Sequence, residues 1–262
     1  MEQNKNTQTI GRIERDTIGY FVAAAYPAKL FEMVENLFFP EFCVGCGRLG
    51  ALVCDKCAHK ITPIDFPLCI FCDKPCIDGR PHKYCQSKLL ISSFNSPFTY
   101  EGLIKKIIIK SKFGSQSYKL LKILTDHKTT LEILQYVPKV DLIIPAPMTK
   151  KLIPKRIKNH SLYIAEEISK IINVPVIDIL QKSNRTKQSS LNQIERAYTI
   201  RDQIYIPKPE NGNELKNKSV LIIDDVTTTG STLKETALTI QKFNPKAIHC
   251  FTLAKDPIYR VK

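Results

Sequence analysis

Nowhere does this chain hold the roughly 18–20 consecutive apolar residues that a bilayer-spanning helix needs. The nearest approach, Ile18 to Ala28, contains Pro27 and runs into Lys29, so no transmembrane segment is expected. Acidic residues are scarce beside basic ones: Asp+Glu number 25 against Lys+Arg 39, a net charge of +14. Such an imbalance favours polyanionic partners. Glu2, Glu14 and Asp16 stand where a secretory leader would be basic, so the chain reads as cytoplasmic. Two common phosphate signatures are missing or misplaced. No G-x-x-x-x-G-K-[ST] occurs, which excludes a Walker loop. A G-x-G-x-x-G does occur at Gly45–Gly50. It follows no strand pattern and lies between two cysteine pairs, which removes the dinucleotide reading.

Cysteine, by contrast, is concentrated. Eight of the nine cysteines fall between Cys43 and Cys85. The pairs Cys43/Cys46 and Cys54/Cys57 are both C-x₂-C, and two such knuckles complete a tetrahedral sulfur site for structural Zn²⁺. In a reducing compartment disulfides are the poorer account. A second zinc set is expected from Cys69, Cys72 and Cys85, with either Cys76 or His82 as the fourth ligand. Cys250 lies in an apolar run, Ala247–Ala254, and reads as an inert core residue.

The densest chemistry lies in Val220–Glu235. Val220-Leu221-Ile222-Ile223 reads as a buried strand with Asp224 and Asp225 at its tip. The loop Thr227-Thr228-Thr229-Gly230-Ser231-Thr232 then opens directly into a helical pattern. That order makes an anion cradle, in which loop and helix amides point at a phosphate and the hydroxyls add donors. The aspartates can accept from the hydroxyls of a sugar or hold Mg²⁺. This segment resembles the phosphoribosyl-pyrophosphate (PRPP) signature of type I phosphoribosyltransferases. The resemblance implies that the acidic pair meets the ribose 2′ and 3′ hydroxyls and that the loop grips the 5′-phosphate.

From about residue 95, strands alternate with helices: Tyr100–Leu124 helical, Asp141–Pro145 a strand, Ser161–Ile172 a helix, Pro175–Leu180 a strand, Val220–Asp224 a strand, Thr232–Phe243 a helix, Ala247–Leu253 a strand. Alternation of this kind predicts right-handed crossovers and a parallel sheet, with ligands at the carboxyl ends of the strands. The loop after Pro145 opens on the same edge as the cradle. Its Lys150, Lys151, Lys155 and Arg156 are candidates to face a pyrophosphate. The long polar segment from Lys182 to Arg201 has the length of a lid or binding loop, with Arg185, Lys187 and Arg196 suited to an anion. Lys105, Lys106, Lys110 and Lys112 concentrate positive charge on the first helices and are the candidates for following a nucleic-acid backbone.

The division that results is residues 1–40 as a polar tail with an amphipathic helix, 41–92 as the zinc-binding cysteine module, and 93–262 as a parallel-sheet α/β domain of the type I phosphoribosyltransferase kind. Taken together the chain resembles the ComF family of competence proteins. The resemblance rests on the paired knuckles, Tyr100-Glu101-Gly102 with Lys112-Phe113-Gly114, and Pro145-x-Pro147. It also rests on Arg185-Thr186-x-Gln188-x-x-Leu191 with Arg196, and on Asp224–Thr232. Three departures stand out. The family's usual Arg-Gly-Phe-Asn-Gln appears as Arg156-Ile157-Lys158-Asn159-His160, Thr199 replaces an Asn, and the final C-x₂-C is His82-x-x-Cys85. The last departure tilts the second zinc towards His82. The resemblance implies cytoplasmic handling of incoming single-stranded DNA in natural transformation, beside helicase and recombination proteins. The alternative is an active phosphoribosyltransferase that uses Mg²⁺-PRPP and a nitrogen acceptor. The short stretch after Thr232 leaves little room for a hood that recognises a nucleobase, which counts against that alternative.

Overall fold

Val220-Leu221-Ile222-Ile223 is apolar at every position because helices cover both faces of the strand it forms, and a parallel strand so placed has no solvent side. The computed structural model describes residues 40–85, 89–113, 117–148, 159–183 and 203–256. The expected helix within residues 18–39 lies outside the described residues, as do Lys150, Lys151, Lys155, Arg156, Arg185, Lys187, Arg196 and Thr199. The elements below belong to one compact unit, Phe42–Lys262.

The strands are β1 (Ser93–Asn95), β2 (Phe98–Thr99), β3 (Leu142–Pro145), β4 (Gln181–Lys182), β5 (Ile204–Tyr205), β6 (Ser219–Thr227) and β7 (Ala247–Lys255). A parallel sheet runs in the order β1-β7-β6-β3, with β2 continuing beside β7. β4 and β5 pair antiparallel as a separate ribbon. The helices are α1 (Asp55–Ala58), α2 (Gly102–Ser111), α3 (Ser117–Thr125), α4 (Lys128–Gln135), α5 (His160–Ile172) and α6 (Ser231–Gln241). Side chains alternate across the sheet. Leu221, Ile223, Phe251 and Leu253 pack with Ile104, Ile107, Ile108, Leu120, Leu124, Ile164 and Ile168 of α2, α3 and α5. Val220, Ile222, Ile248 and Cys250 pack with Leu233, Ala237 and Ile240 of α6. Helices on both faces of a parallel sheet are what the sequence alternation leads one to expect.

Three details differ. β6 does not end at Asp224 but continues to Thr227, because β7 is equally long and pairs with it through Thr227 and Lys255. The expected strand Pro175–Leu180 meets the sheet through a bridge between Ile143 and Val176; Pro175 has no N–H to extend the ladder. α4 and the two short strands β1 and β2 were not anticipated, since each is shorter than the window over which a periodic pattern stands out.

The cysteine segment is built into the same core. Cys43, Leu52 and Cys57 are buried with Phe98, Leu103 and Ile104. A Cβ on Gly45 would stand 2.6 Å from Cys57 Sγ and 3.2 Å from Leu103, so the first knuckle closes only because that residue has no side chain.

Candidate functional site

At the carboxyl end of the sheet, β6 delivers Asp224 and Asp225 into a crevice of about 220 Å³. Pro147, Met148, Asn159, His160, Ser161, Lys182 and Thr232 line it as well. Ser161 Oγ donates to Asp224 Oδ1 at 2.8 Å, and the Asp225 amide donates to the same oxygen at 2.9 Å. Asp225 Oδ1 accepts from the Val226 amide at 2.7 Å, while its Oδ2 stands 3.3 Å from the Lys112 ammonium and 3.7 Å from His160 Nδ1. The two carboxylates therefore sit in different fields. Burial and the neighbouring Asp225 charge push Asp224 up to about 7, against the Ser161 hydrogen bond. Burial would raise Asp225 too, but His160 and the Lys112 ammonium hold it below the usual carboxylate range. One acid of the pair is thus fixed as an anion and the other titrates near neutrality.

Beyond the acids, the hydroxyl-rich loop turns on Gly230, whose φ of 72° belongs to the left-handed region. Gly230 caps α6 without a side-chain hydrogen bond. The first helical bond runs from the Lys234 amide to the Gly230 carbonyl at 2.9 Å, so the Ser231, Thr232 and Leu233 amides precede the ladder and face an anion-attracting helix start. Thr228 and Thr229 are exposed, whereas Thr227 is buried at the strand end. Ser231 and Thr232 are half-buried. Of the expected PRPP residues, Asp224, Asp225 and Thr232 line the crevice directly, with Thr228, Thr229, Gly230 and Ser231 forming the adjoining turn.

Lys105, Lys106 and Lys110 project from the exposed face of α2, and the Lys105 ammonium lies 5.7 Å from the centre of the Tyr100 ring. Lys112, grouped with them in the sequence, closes on Asp225 instead. The Asn159 side chain accepts from the Ser161 amide and so caps α5, which aims His160 and Ser161 at the acids. The sequence alone assigns Lys112 to the nucleic-acid face and gives neither those two residues nor Lys182 a place in this crevice. The signal that would have found His160 and Ser161 is the Asn-His-Ser helix start.

Two groups of side chains have metal-site geometry. Cys43, Cys46, Cys54 and Cys57 place their sulfurs within 4.8 Å of one another, as do the ligand atoms of Cys69, Cys72, His82 and Cys85. Cys46 Sγ and Cys54 Sγ are 3.6 Å apart, close to the ~3.8 Å edge of a tetrahedron with ~2.3 Å metal–sulfur bonds. In the second group His82 Nε2 donates to the Pro75 carbonyl at 3.0 Å. That leaves Nδ1 as the free lone pair, 3.4 Å from Cys72 Sγ and 3.9 Å from Cys85 Sγ; a histidine held this way is preset as a ligand. Cys76 stays outside the group. Its backbone amide bonds to the Pro67 carbonyl, and burial with the Cys69 and Cys72 charges pushes its thiol up to about 11. Of the two candidates for the fourth ligand, the geometry selects His82. In the first group burial opposes ionisation of Cys43, yet the Cys54, Cys46 and Gly45 amides bring its thiol down to about 6. Burial and the thiols of Cys43, Cys54 and Cys46 push Cys57 up to about 12. Four sulfurs this close hold their charge together best around a cation.

Residues 157–262 match the family model described as a phosphoribosyl transferase domain. The chain is similar to Competence protein ComFC of Bacillus subtilis (strain 168), 25% identical over 215 residues, spanning 78% of this chain and 84% of that protein. It is similar also to Competence protein ComFC of Streptococcus pneumoniae, 23% identical over 207 residues, spanning 77% of this chain and 86% of that one. Among solved structures it is similar to the allosteric regulatory enzyme of purine biosynthesis, at 15% identity, 47% of this chain and a TM-score of 0.32. Glutamine phosphoribosylpyrophosphate amidotransferase from B. subtilis, complexed with ADP and GMP, gives 14%, 52% and 0.33. The chain spans 23% and 25% of those two structures. The resemblance to ComF competence proteins holds, and the fold is the parallel-sheet α/β fold of type I phosphoribosyltransferases. Two cysteine-rich groups able to hold metal ions precede its first strand. No helix among the described residues is long and apolar enough to cross a membrane.

Proposed function

We propose that this relative of ComFC is a cytoplasmic competence protein that handles incoming single-stranded DNA and carries a crevice for PRPP or a related ribose 5-phosphate. The observation that supports the crevice best is the acid pair beside a glycine-capped helix start: Asp224 and Asp225 next to the Thr228–Thr232 turn. The carboxylates accept from the ribose 2′ and 3′ hydroxyls. Ser231, Thr232 and the first amides of α6 bind the 5′-phosphate, where the helix dipole favours negative charge. Thr228 and Thr229 add hydroxyl donors from the exposed side of the turn.

Lys112 and His160 keep Asp225 anionic, ready to orient a hydroxyl. Mg²⁺, when it accompanies PRPP, supplies charge neutralisation for the phosphate groups beside this pair. Lys150, Lys151, Arg156, Arg185 and Arg196 are proposed to meet the pyrophosphate. The basic face of α2, with Lys105, Lys106 and Lys110, follows the DNA backbone. Zn²⁺ is the proposed occupant of both cysteine-rich groups, since three or four thiolates in tetrahedral range suit it best. Helicase and recombination proteins of the uptake pathway are the proposed partners.

The match to a phosphoribosyl transferase domain favours a second reading, in which the crevice retains transferase activity. Departure of pyrophosphate would then leave a cationic ribose for a nitrogen acceptor. Calorimetric titration of PRPP, together with pyrophosphate release over a panel of bases and single-stranded DNA, separates the readings. Binding that falls at least about tenfold in Asp224→Asn and Asp225→Asn supports the crevice. Pyrophosphate release would favour the transferase. A wild-type protein that binds no PRPP sinks both.

A further inference from the structure

The second cysteine knuckle does more than surround its own ligand atoms. Lys255, the last residue of β7, is 1% exposed. Its ammonium donates to the Thr228 carbonyl, lies 3.1 Å from the Asp256 carbonyl, and pairs with Asp73 Oδ1 at 3.0 Å. Asp73 follows Cys72 directly, has a left-handed φ of 56°, and donates its amide to the Cys69 carbonyl at 2.9 Å. It is the residue that closes the knuckle turn. Lys234 repeats the pattern from α6: its ammonium is 3.0 Å from the Thr229 carbonyl and 5.3 Å from the centre of the Phe71 ring. A Cβ on Gly230 would meet Ile70 Cγ1 at 3.3 Å, so Ile70 lies against the turn itself. Of the residues within or next to the C-x₂-C, Ile70 therefore touches the turn that the ribose phosphate would use, while Phe71 and Asp73 reach it through Lys234 and Lys255.

From this juxtaposition we infer that Lys255 and Asp73 are positioning residues for the sugar-phosphate turn, and that they tie ligand binding there to metal binding at Cys69, Cys72, His82 and Cys85. The inference rests on the PRPP-type reading of the crevice and adds its regulation. Each peptide unit is planar and trans, so its carbonyl and the following amide point in opposite directions. Two lysines that draw the Thr228 and Thr229 carbonyls towards the knuckle turn the Thr229 and Gly230 amides away from it, as anion donors. Lys255 holds this place because Asp73 neutralises it; a buried ammonium without that partner would be expelled or would drag the turn with it. Coupling between two sites is reciprocal. A metal-filled knuckle that favours the ligand-ready turn must itself be stabilised by the ligand.

Reciprocity gives a test on the unaltered protein. Cobalt(II) loaded into both groups reports each separately, because the histidine-containing set and the all-sulfur set absorb differently. Saturating PRPP should slow loss of cobalt to a chelator from the Cys69 group by about fivefold or more and leave the Cys43 group unchanged. Asp73→Asn should abolish that protection. In titrations, Lys255→Met and Asp73→Asn should each weaken PRPP by about tenfold, the double variant no more than either alone, and Lys255→Arg should recover part of the loss. Should Lys255→Met fail to fold, the chelator experiment on wild type decides alone. Wild-type protein that binds PRPP yet loses cobalt from both groups at unchanged rates overturns the positioning role while leaving the crevice intact. Wild-type protein that binds no PRPP overturns both.

Discussion

Asp224 and Asp225 are adjacent in sequence and opposite in electrostatic character, and the difference comes from their neighbours rather than from exposure. Asp225 looks towards Lys112 and His160; Asp224 has a serine hydroxyl and a second carboxylate beside it. A measurable consequence follows for Asp224. Its folded pKa of about 7 lies above the ordinary 3.8, so between those values the folded state binds more protons than the unfolded one. Stability therefore falls as pH rises through that window and levels off above it. Asp224→Asn removes the titration but keeps an oxygen to accept from Ser161. Relative to wild type, this variant should gain at least about 1 kcal/mol between pH 5 and pH 8, read from urea unfolding at both pH values. Parallel curves for the two proteins would show that Asp224 ionises freely in the fold.

At the scale of elements, α2 separates two roles on one short helix. Ile104, Ile107 and Ile108 are fully buried against β6 and β7, while Lys105, Lys106 and Lys110 face out. Ile107→Ala should cost about 2–5 kcal/mol by leaving a cavity, visible as a lower denaturant midpoint. Lys106→Gln should change stability by less than about 0.5 kcal/mol, yet lower the slope of log K against log salt for single-stranded DNA by about 0.7. An unchanged slope in Lys106→Gln would take that face out of any nucleic-acid contact. Glu235 gives α6 a similar second duty: its Oε1 accepts from the Gln203 and Ile204 amides and so anchors the β4–β5 ribbon that brings Lys182 to the crevice.

For the molecule as a whole, the first cysteine group and the sheet share a core. Cys43 and Cys57 are buried in the same cluster as Phe98, Ile107 and Phe251, so a metal held there would support packing well beyond the knuckles. Chelation should lower the melting temperature of the entire unit by at least about 5 °C, roughly 2 kcal/mol for this size, in a single calorimetric transition. Two resolved transitions, with the later one at the untreated temperature, would mean that the cysteine segment unfolds by itself. Metal content before and after treatment shows whether an ion was present and which.

What could be read without coordinates was local. The alternation that specifies a parallel sheet, the C-x₂-C turns and the sequence from Asp224 to Thr232 each depend on residues a few positions apart, where backbone geometry leaves few choices. The choice of His82 over Cys76 needed more, because both lie near enough along the chain and only the fold directs a lone pair at Cys72 and Cys85. Lys112, His160 and Ser161 reach the acids from two other elements, and Lys255 reaches Asp73 across most of the chain's length. Crossover connections bring such residues to one sheet edge, and no spacing rule in a linear sequence encodes which of many lysines arrives there. The sequence determined the frame and its hydroxyl-rich turn. The tertiary structure decided which charges surround the acid pair and which knuckle stands behind the turn, because both are contacts between segments far apart in sequence.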